Sequence, residues 1–252
     1  MITAGLDLAA DPSRTALAVI EWSDTGALVR SLRLGVDDEE VRHLAPTVAM
    51  LGIDCPLGWP RAFTEFIVEH QQGTFIPPAE HGSAWRDSLS YRVTDLQLRA
   101  ASGPNPLSVS ADKIGRVAMR CAALLAQLGS AGVDCHRDGS GTIAEVYPAA
   151  ALHRWGLPHR AYKTKTNQAG RAVLVDALER ESWLDLGGYA ASCRHSDDLL
   201  DAVLCALVAR AVTKGLTVAP SPLEREAALV EGWIHVPRIG GQLRDLAPDQ
   251  PG

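Results

Sequence analysis

The chain lacks the marks of the commoner cofactor and nucleophile chemistries. Its five cysteines are odd in number, and no two of Cys55, Cys121, Cys135, Cys193 and Cys205 have the spacing of a zinc knuckle or a dithiol redox centre. The histidines show no metal-ligand spacing: His153 and His159 straddle a turn, and His195 flanks a helix. No nucleophile elbow, Walker loop or dinucleotide glycine fingerprint occurs. Basic residues are not in surplus either, with 24 Lys and Arg against 30 Asp and Glu and a net charge of −6. That excludes a broad sequence-independent grip on duplex DNA, which needs a basic face. It leaves room for a local cluster of Arg opposite an acidic floor. Long hydrophobic runs are missing too: the most apolar helix, near Leu199 to Val212, is interrupted by Asp201 and Arg210 and is too short to span a bilayer. The opening residues, Met1-Ile-Thr-Ala-Gly5, have no basic region of a secretory signal. These absences lead us to expect a cytoplasmic protein with reduced thiols and no membrane partner. Oligomeric state is not legible.

What the chain does have is an ordinary globular composition, 46% hydrophobic and 21% charged, and enough length to bury a core as one domain over residues 1–252. Compact apolar runs predict strands over Ile2 to Ala9, Thr15 to Trp22 and Ala27 to Leu34, joined by tight turns into an antiparallel meander. Asp37 to Ala49 reads as a helix with acids in its first turn, and Met50 to Cys55 as a fourth strand stopped by Pro56. Periodicity then breaks down over 57–108, an irregular insertion long enough to suggest a substrate lid. Ser110 is the expected cap of an amphipathic helix whose face is Ile114, Val117, Cys121, Leu124, Leu125 and Leu128. A strand follows over Thr142 to Tyr147, then helices over Asn167 to Arg180 and Ser196 to Lys214, and a short closing strand at Gly232 to Val236. The order matches a ribonuclease H-like α/β fold: a mixed five-stranded sheet flanked by helices, with the insertion after strand four.

Single carboxylates inside apolar strands point to chemistry. Asp7 sits among Gly5, Leu6, Leu8 and Ala9, and Asp54 follows Leu51, Gly52 and Ile53. A buried carboxylate is costly unless paired, hydrogen-bonded or bound to metal. In the expected sheet the first and fourth strands are adjacent and parallel, so the two acids lie side by side, where a divalent cation would hold both ionised. Ser196 caps the last long helix, which gives Asp197 a structural reason as a first-turn acid. Asp201 borders the stripe Leu200, Val203, Leu204, Leu207 and Val208, which points it at the sheet, and Asp198 lies three residues away on the same face. Four carboxylates from Asp7, Asp54, Asp198 and Asp201 suit magnesium or manganese. Glu145, at its strand end, is a candidate outer ligand or base that could equally pair with an Arg. Arg61, Arg86, Arg92 and Arg99, interleaved with Trp59, Trp85 and Tyr91, offer a phosphate- and base-binding surface. Lys163, Lys165 and Arg171 form a second basic stretch.

These residues fall in motifs that resemble the domain of unknown function 429 family: Gly5-Leu-Asp7-Leu-Ala9, Ile53-Asp54-Cys-Pro56-Leu-Gly58, Tyr91-Arg92-Val-Thr94-Asp95, Glu145-Val-Tyr-Pro148, Asp197-Asp198-Leu-Leu-Asp201-Ala202 and Glu231-Gly232-Trp233-Ile234. The resemblance runs almost the whole chain. It implies a predicted nuclease of ribonuclease H-like fold, and the expected substrate contacts are Arg92, Asp95, Arg86, Arg99 and Lys163. Asp201-Ala202 and the helix after it are similar to the last acidic element of Holliday-junction resolvases, although Asp54 is shorter than the Glu expected there, which leaves one or two metals open. The expected activity is metal-dependent phosphodiester hydrolysis of nucleic acid or nucleotide by two ions, with Asp7 ligating both. Two rivals remain. An actin-like ATPase or sugar-kinase-type phosphotransferase would want a glycine-rich turn where Ala9-Ala-Asp-Pro-Ser stands, and a non-catalytic binding module would keep the fold without turnover.

Overall fold

A computed structural model of the chain describes residues 1–101 and 103–248. Its centre is a mixed sheet with helices on both faces. The strands are β1 (Ile2–Asp7), β2 (Ala16–Trp22), β3 (Ala27–Leu34), β4 (Met50–Ile53), β5 (Ile143–Val146), β6 (Leu184–Asp185) and β7 (Ile234–His235). The order is β6-β3-β2-β1-β4-β5-β7. β2 runs antiparallel to both neighbours, and every other pairing is parallel. The sheet therefore has seven strands rather than the five expected. β7 is the predicted closing strand, here paired with β5, whereas β6 is too short at two residues to leave a period in the sequence.

The helices are α1 (Asp38–Leu44), α2 (Arg61–Gln72), α3 (Ser83–Ser90), α4 (Val93–Ala100), α5 (Gly115–Ser130), α6 (Pro148–Arg154), α7 (Gln168–Glu179), α8 (Ala190–His195), α9 (Asp197–Thr213) and α10 (Arg225–Glu231). α1 stops earlier than expected, because Pro46 turns the chain into a short 3-10 segment, Ala45–Thr47. α5 starts later than the expected cap at Ser110, whose hydroxyl instead donates to the Leu89 carbonyl at 2.8 Å. The insertion is not irregular: it contains α2, α3 and α4. Neither α2 nor α3 buries a residue fully, although α2 carries Phe63, Phe66 and Ile67 at helical spacing. None of the helices among the described residues is long and apolar enough to cross a membrane.

Two core layers sandwich the sheet. Ala4, Leu6, Leu51 and Ile53 face α5 through Cys121, Leu124 and Leu128, and the opposite face packs against α7, α8 and α9. Strand alternation then sends Thr3, Gly5 and Asp7 toward α9. α9 is buried over most of its length and lies across β1, β2 and β4. It comes this close because Gly5 and Gly52, register partners on β1 and β4, have no side chain. A Cβ on Gly5 would overlap the Ala202 carbonyl and the Ala206 amide, and one on Gly52 would meet the Cys205 carbonyl. Thr3 reinforces the contact by donating from its hydroxyl to the Ala206 carbonyl at 3.0 Å.

Candidate metal centre

Each glycine is followed two residues later by an acid on the same strand face: Gly5-Leu-Asp7 and Gly52-Ile-Asp54. The register that pairs Leu6 with Ile53, and the bond from the Asp54 amide to the Leu6 carbonyl at 2.9 Å, set the two carboxylates side by side at the strand ends. α9 crosses above them and supplies Asp201 from its second turn. Side-chain oxygens of Asp7, Asp54 and Asp201 all lie within 4.8 Å of one another. Asp7 and Asp54 are partly buried, and Asp201 is 2% exposed.

Their electrostatics are unbalanced. Burial, then the charges of Asp201 and Asp54, hold the Asp7 carboxyl well above the usual range, with only Lys163 opposing. Burial likewise pushes Asp54 up to about 7, against the pull of Lys163 and helped by Asp201 and Glu145. Lys163 is the nearest cation, with its Nζ 2.8 Å from Asp201 and 4.0 Å from Asp54. Burial works against its charge, but Asp201 and Asp54 outweigh that and raise its pKa well above the ordinary lysine value. Tyr162, overlooked in the sequence because it looks like core, donates from its hydroxyl to Asp201 at 2.9 Å.

A pH dependence follows from the raised acids. An unfolded Asp titrates near ~4, so between there and Asp54's value of about 7 the folded protein holds protons that the unfolded chain releases. Stability from this source is full at the acid end and is lost as pH rises through about 7. Without metal, the melting temperature of the wild type relative to Asp54→Asn should therefore fall as pH is raised from about 5 to about 8. Parallel pH profiles for the two proteins would show that Asp54 carries no such strain.

The other predicted site residues are placed elsewhere. Asp198 stands outside the trio, with its carboxylate 3.7 Å from Arg14. Asp197 accepts from the Thr164 amide at 2.8 Å, and Ser196 caps α9 by accepting from the Leu199 amide. Glu145 and Arg92 line the cavity beside Asp54 and are ion-paired with each other. The Arg92 guanidinium donates from Nη1 and Nη2 to the two Glu145 oxygens at 2.7 Å each, and from Nε and Nη2 to Asp95 at 3.0 and 2.9 Å. Nη1 also reaches the Glu231 carbonyl, and Glu145 further accepts from the Leu57 amide. Arg92, Asp95 and Glu145 are all buried, so the cluster ties α4 and the start of the insertion to β5 and α10. Arg86 bonds the His81 carbonyl, and Arg99 lies over the Tyr91 ring, 4.2 Å from its centroid. Neither lines the cavity that opens over Asp7 and Asp54. That cavity measures about 710 Å³ and is walled by Pro106, Leu107, Ile114 and Val117, with Arg92, Lys113, Arg160 and Lys163 as cations. Of the five substrate contacts expected from sequence, Arg92 and Lys163 line this cavity, and Lys163 is the one ion-paired with the carboxylates.

No curated protein and no solved structure matches the chain. A family model described as "Protein of unknown function (DUF429)" matches residues 5–225, a span that takes in Asp7, Asp54, Lys163 and Asp201. The chain belongs to that family.

Proposed function

We propose that the protein is a divalent-metal-dependent phosphodiester hydrolase acting on a nucleotide or nucleic acid, built on a ribonuclease H-like core. The core assignment is supported by the central strand order β3-β2-β1-β4-β5, with β2 alone antiparallel, and by the helix α9 that brings the last acid over the first and fourth strands. The metal reading is carried by one observation: three carboxylates converge within 4.8 Å, two of them lining a cavity and held above the ordinary carboxylate range by burial, with like charges adding to it. An all-oxygen donor set of this kind fits magnesium or manganese. Asp7, Asp54 and Asp201 would hold the ion, which supplies an activated water and a counter-charge for the leaving oxygen. The chain's own groups do the rest. Lys113, Arg160 and Lys163 line the cavity and orient a phosphate by charge. The apolar wall of Pro106, Leu107, Ile114 and Val117 gives a base a face to lie against. Arg92 and Glu145, paired with each other, hold their part of the cavity wall in place.

The cavity volume, about 710 Å³, lies in the range of small-molecule sites. With a net charge of −6, it favours a dinucleotide or a single-stranded end over an intact duplex. A manganese-dependent cleavage panel of dinucleotides, single strands, duplexes and branched junctions tests this. Dinucleotides or single strands should be cut fastest, and Asp201→Asn should cut nothing. Absence of cleavage on every substrate, with manganese bound, would leave a non-catalytic binding module and refute the hydrolase.

A further inference from the structure

Lys163 sits in a backbone segment held in costly geometry. Ala161 and Thr164, on either side of the Tyr162-Lys163 pair, have φ of 55° and 78°. Residues other than glycine adopt such conformations at a cost and keep them only where the surroundings over-determine them. Here they are over-determined. Arg171, 1% exposed, donates from Nη1 to the Tyr162 and Thr164 carbonyls at 2.8 and 2.6 Å. Its Nε and Nη2 reach the Arg194 and His195 carbonyls at 3.0 and 3.1 Å, so one guanidinium fastens the segment to the end of α8. The Thr164 amide is bound to Asp197, and the Tyr162 hydroxyl to Asp201. Gly170 lets the Ala161 carbonyl approach closer than any side chain would permit.

All this holds one ammonium in place. Lysine has a long side chain with much rotamer entropy to lose, and that of Lys163 is 47% exposed, yet its Nζ lies 2.8 Å from Asp201 and 4.0 Å from Asp54. Charge counting gives the arrangement a meaning. Asp7, Asp54 and Asp201 carry three negative charges when ionised, and one divalent ion plus one ammonium balances them. Two divalent ions beside Lys163 would leave a surplus of two, and the fourth acid that could absorb it, Asp198, is turned to Arg14. Resting on the metal reading of the trio, we propose that Lys163 is a tethered counter-ion. It competes with divalent cations for Asp201 and Asp54 and limits the centre to a single bound ion.

Calorimetric titration of the full chain with manganese alone tests this, using wild type, Lys163→Met, Lys163→Gln and Asp201→Asn, with a thermal melt of each to show that it is folded. The wild type should take up at most one ion per chain. Both neutral Lys163 variants should bind manganese at least about tenfold more tightly, or accept a second ion, since removal of one close opposing charge is of that order. A wild type that binds two ions overturns the proposal. So do Lys163 variants with wild-type affinity and stoichiometry, or Met and Gln variants that differ from each other, which would reveal packing rather than charge. In those cases binding that is still lost in Asp201→Asn would leave the metal reading standing. If neither wild type nor Lys163 variants bind manganese, the trio is not a metal centre and the proposal falls with it.

Discussion

Asp201→Asn is expected to abolish cleavage and to weaken manganese binding by at least ~100-fold, because even partners outside the direct ligand set are worth 10–100-fold in metal affinity. The substitution keeps the size of the side chain and an oxygen that can accept from the Tyr162 hydroxyl, so the fold should survive. Relief of crowding among three carboxylates offsets part of the lost pairing with Lys163. Asp197→Ala is the matched contrast on the same helix. It removes a first-turn acid worth roughly 0.3–1 kcal/mol on the helix dipole, together with the bond to the Thr164 amide, and should lower the melting temperature slightly. Its manganese affinity should stay within a few-fold of wild type. The discriminating pair of data is a melt and a metal titration for each protein. Were Asp197→Ala to lose the metal and Asp201→Asn to keep it, the register assigned to α9 would be wrong.

The second large effect belongs to Arg92, and it should appear in stability rather than in substrate binding. Arg92→Met strips the buried Glu145 and Asp95 of their shared counter-charge. Removing one partner of a buried pair costs about 3–5 kcal/mol, and here two acids are stranded at once. A loss of that size in a chain this long should lower the melting temperature by roughly 10 °C or more. Burial already raises the Glu145 pKa, with Arg92 and the Leu57 amide opposing, so Glu145→Gln added to Arg92→Met should recover part of the loss. A phosphate-binding Arg92 would behave otherwise: KM would rise, the melting temperature would hold, and the second substitution would recover nothing.

The contrast between these residues shows what could be read from sequence. Asp7 and Asp54 stood out because an acid inside an apolar strand is anomalous whatever its neighbours, and parallel pairing of β1 with β4 was implied by element order. Asp201 stood out by its place on a helical stripe. A more local signal was also present: the repeated Gly-x-Asp of β1 and β4, which marks where a helix must come close to the sheet. Arg92, Asp95 and Glu145 were harder to read, because a buried ion cluster and a phosphate site use the same side chains. Only three-dimensional burial tells them apart. Lys163 and Tyr162 owe their place to Arg171, Asp197 and Gly170, contacts that no periodicity records. The helix α2 was legible and passed over: Phe63, Phe66 and Ile67 stand at helical spacing within the stretch read as irregular.

Anomalous diffraction from crystals soaked in manganese tests the metal centre most directly. One manganese peak is expected among the carboxylates of Asp7, Asp54 and Asp201, at oxygen-ligand distance from all three residues, with Lys163 displaced from Asp201 and the peak missing in Asp201→Asn crystals. A map with no anomalous density there at saturating manganese, and Lys163 still bonded to Asp201, would contradict the assignment of these three acids as metal ligands.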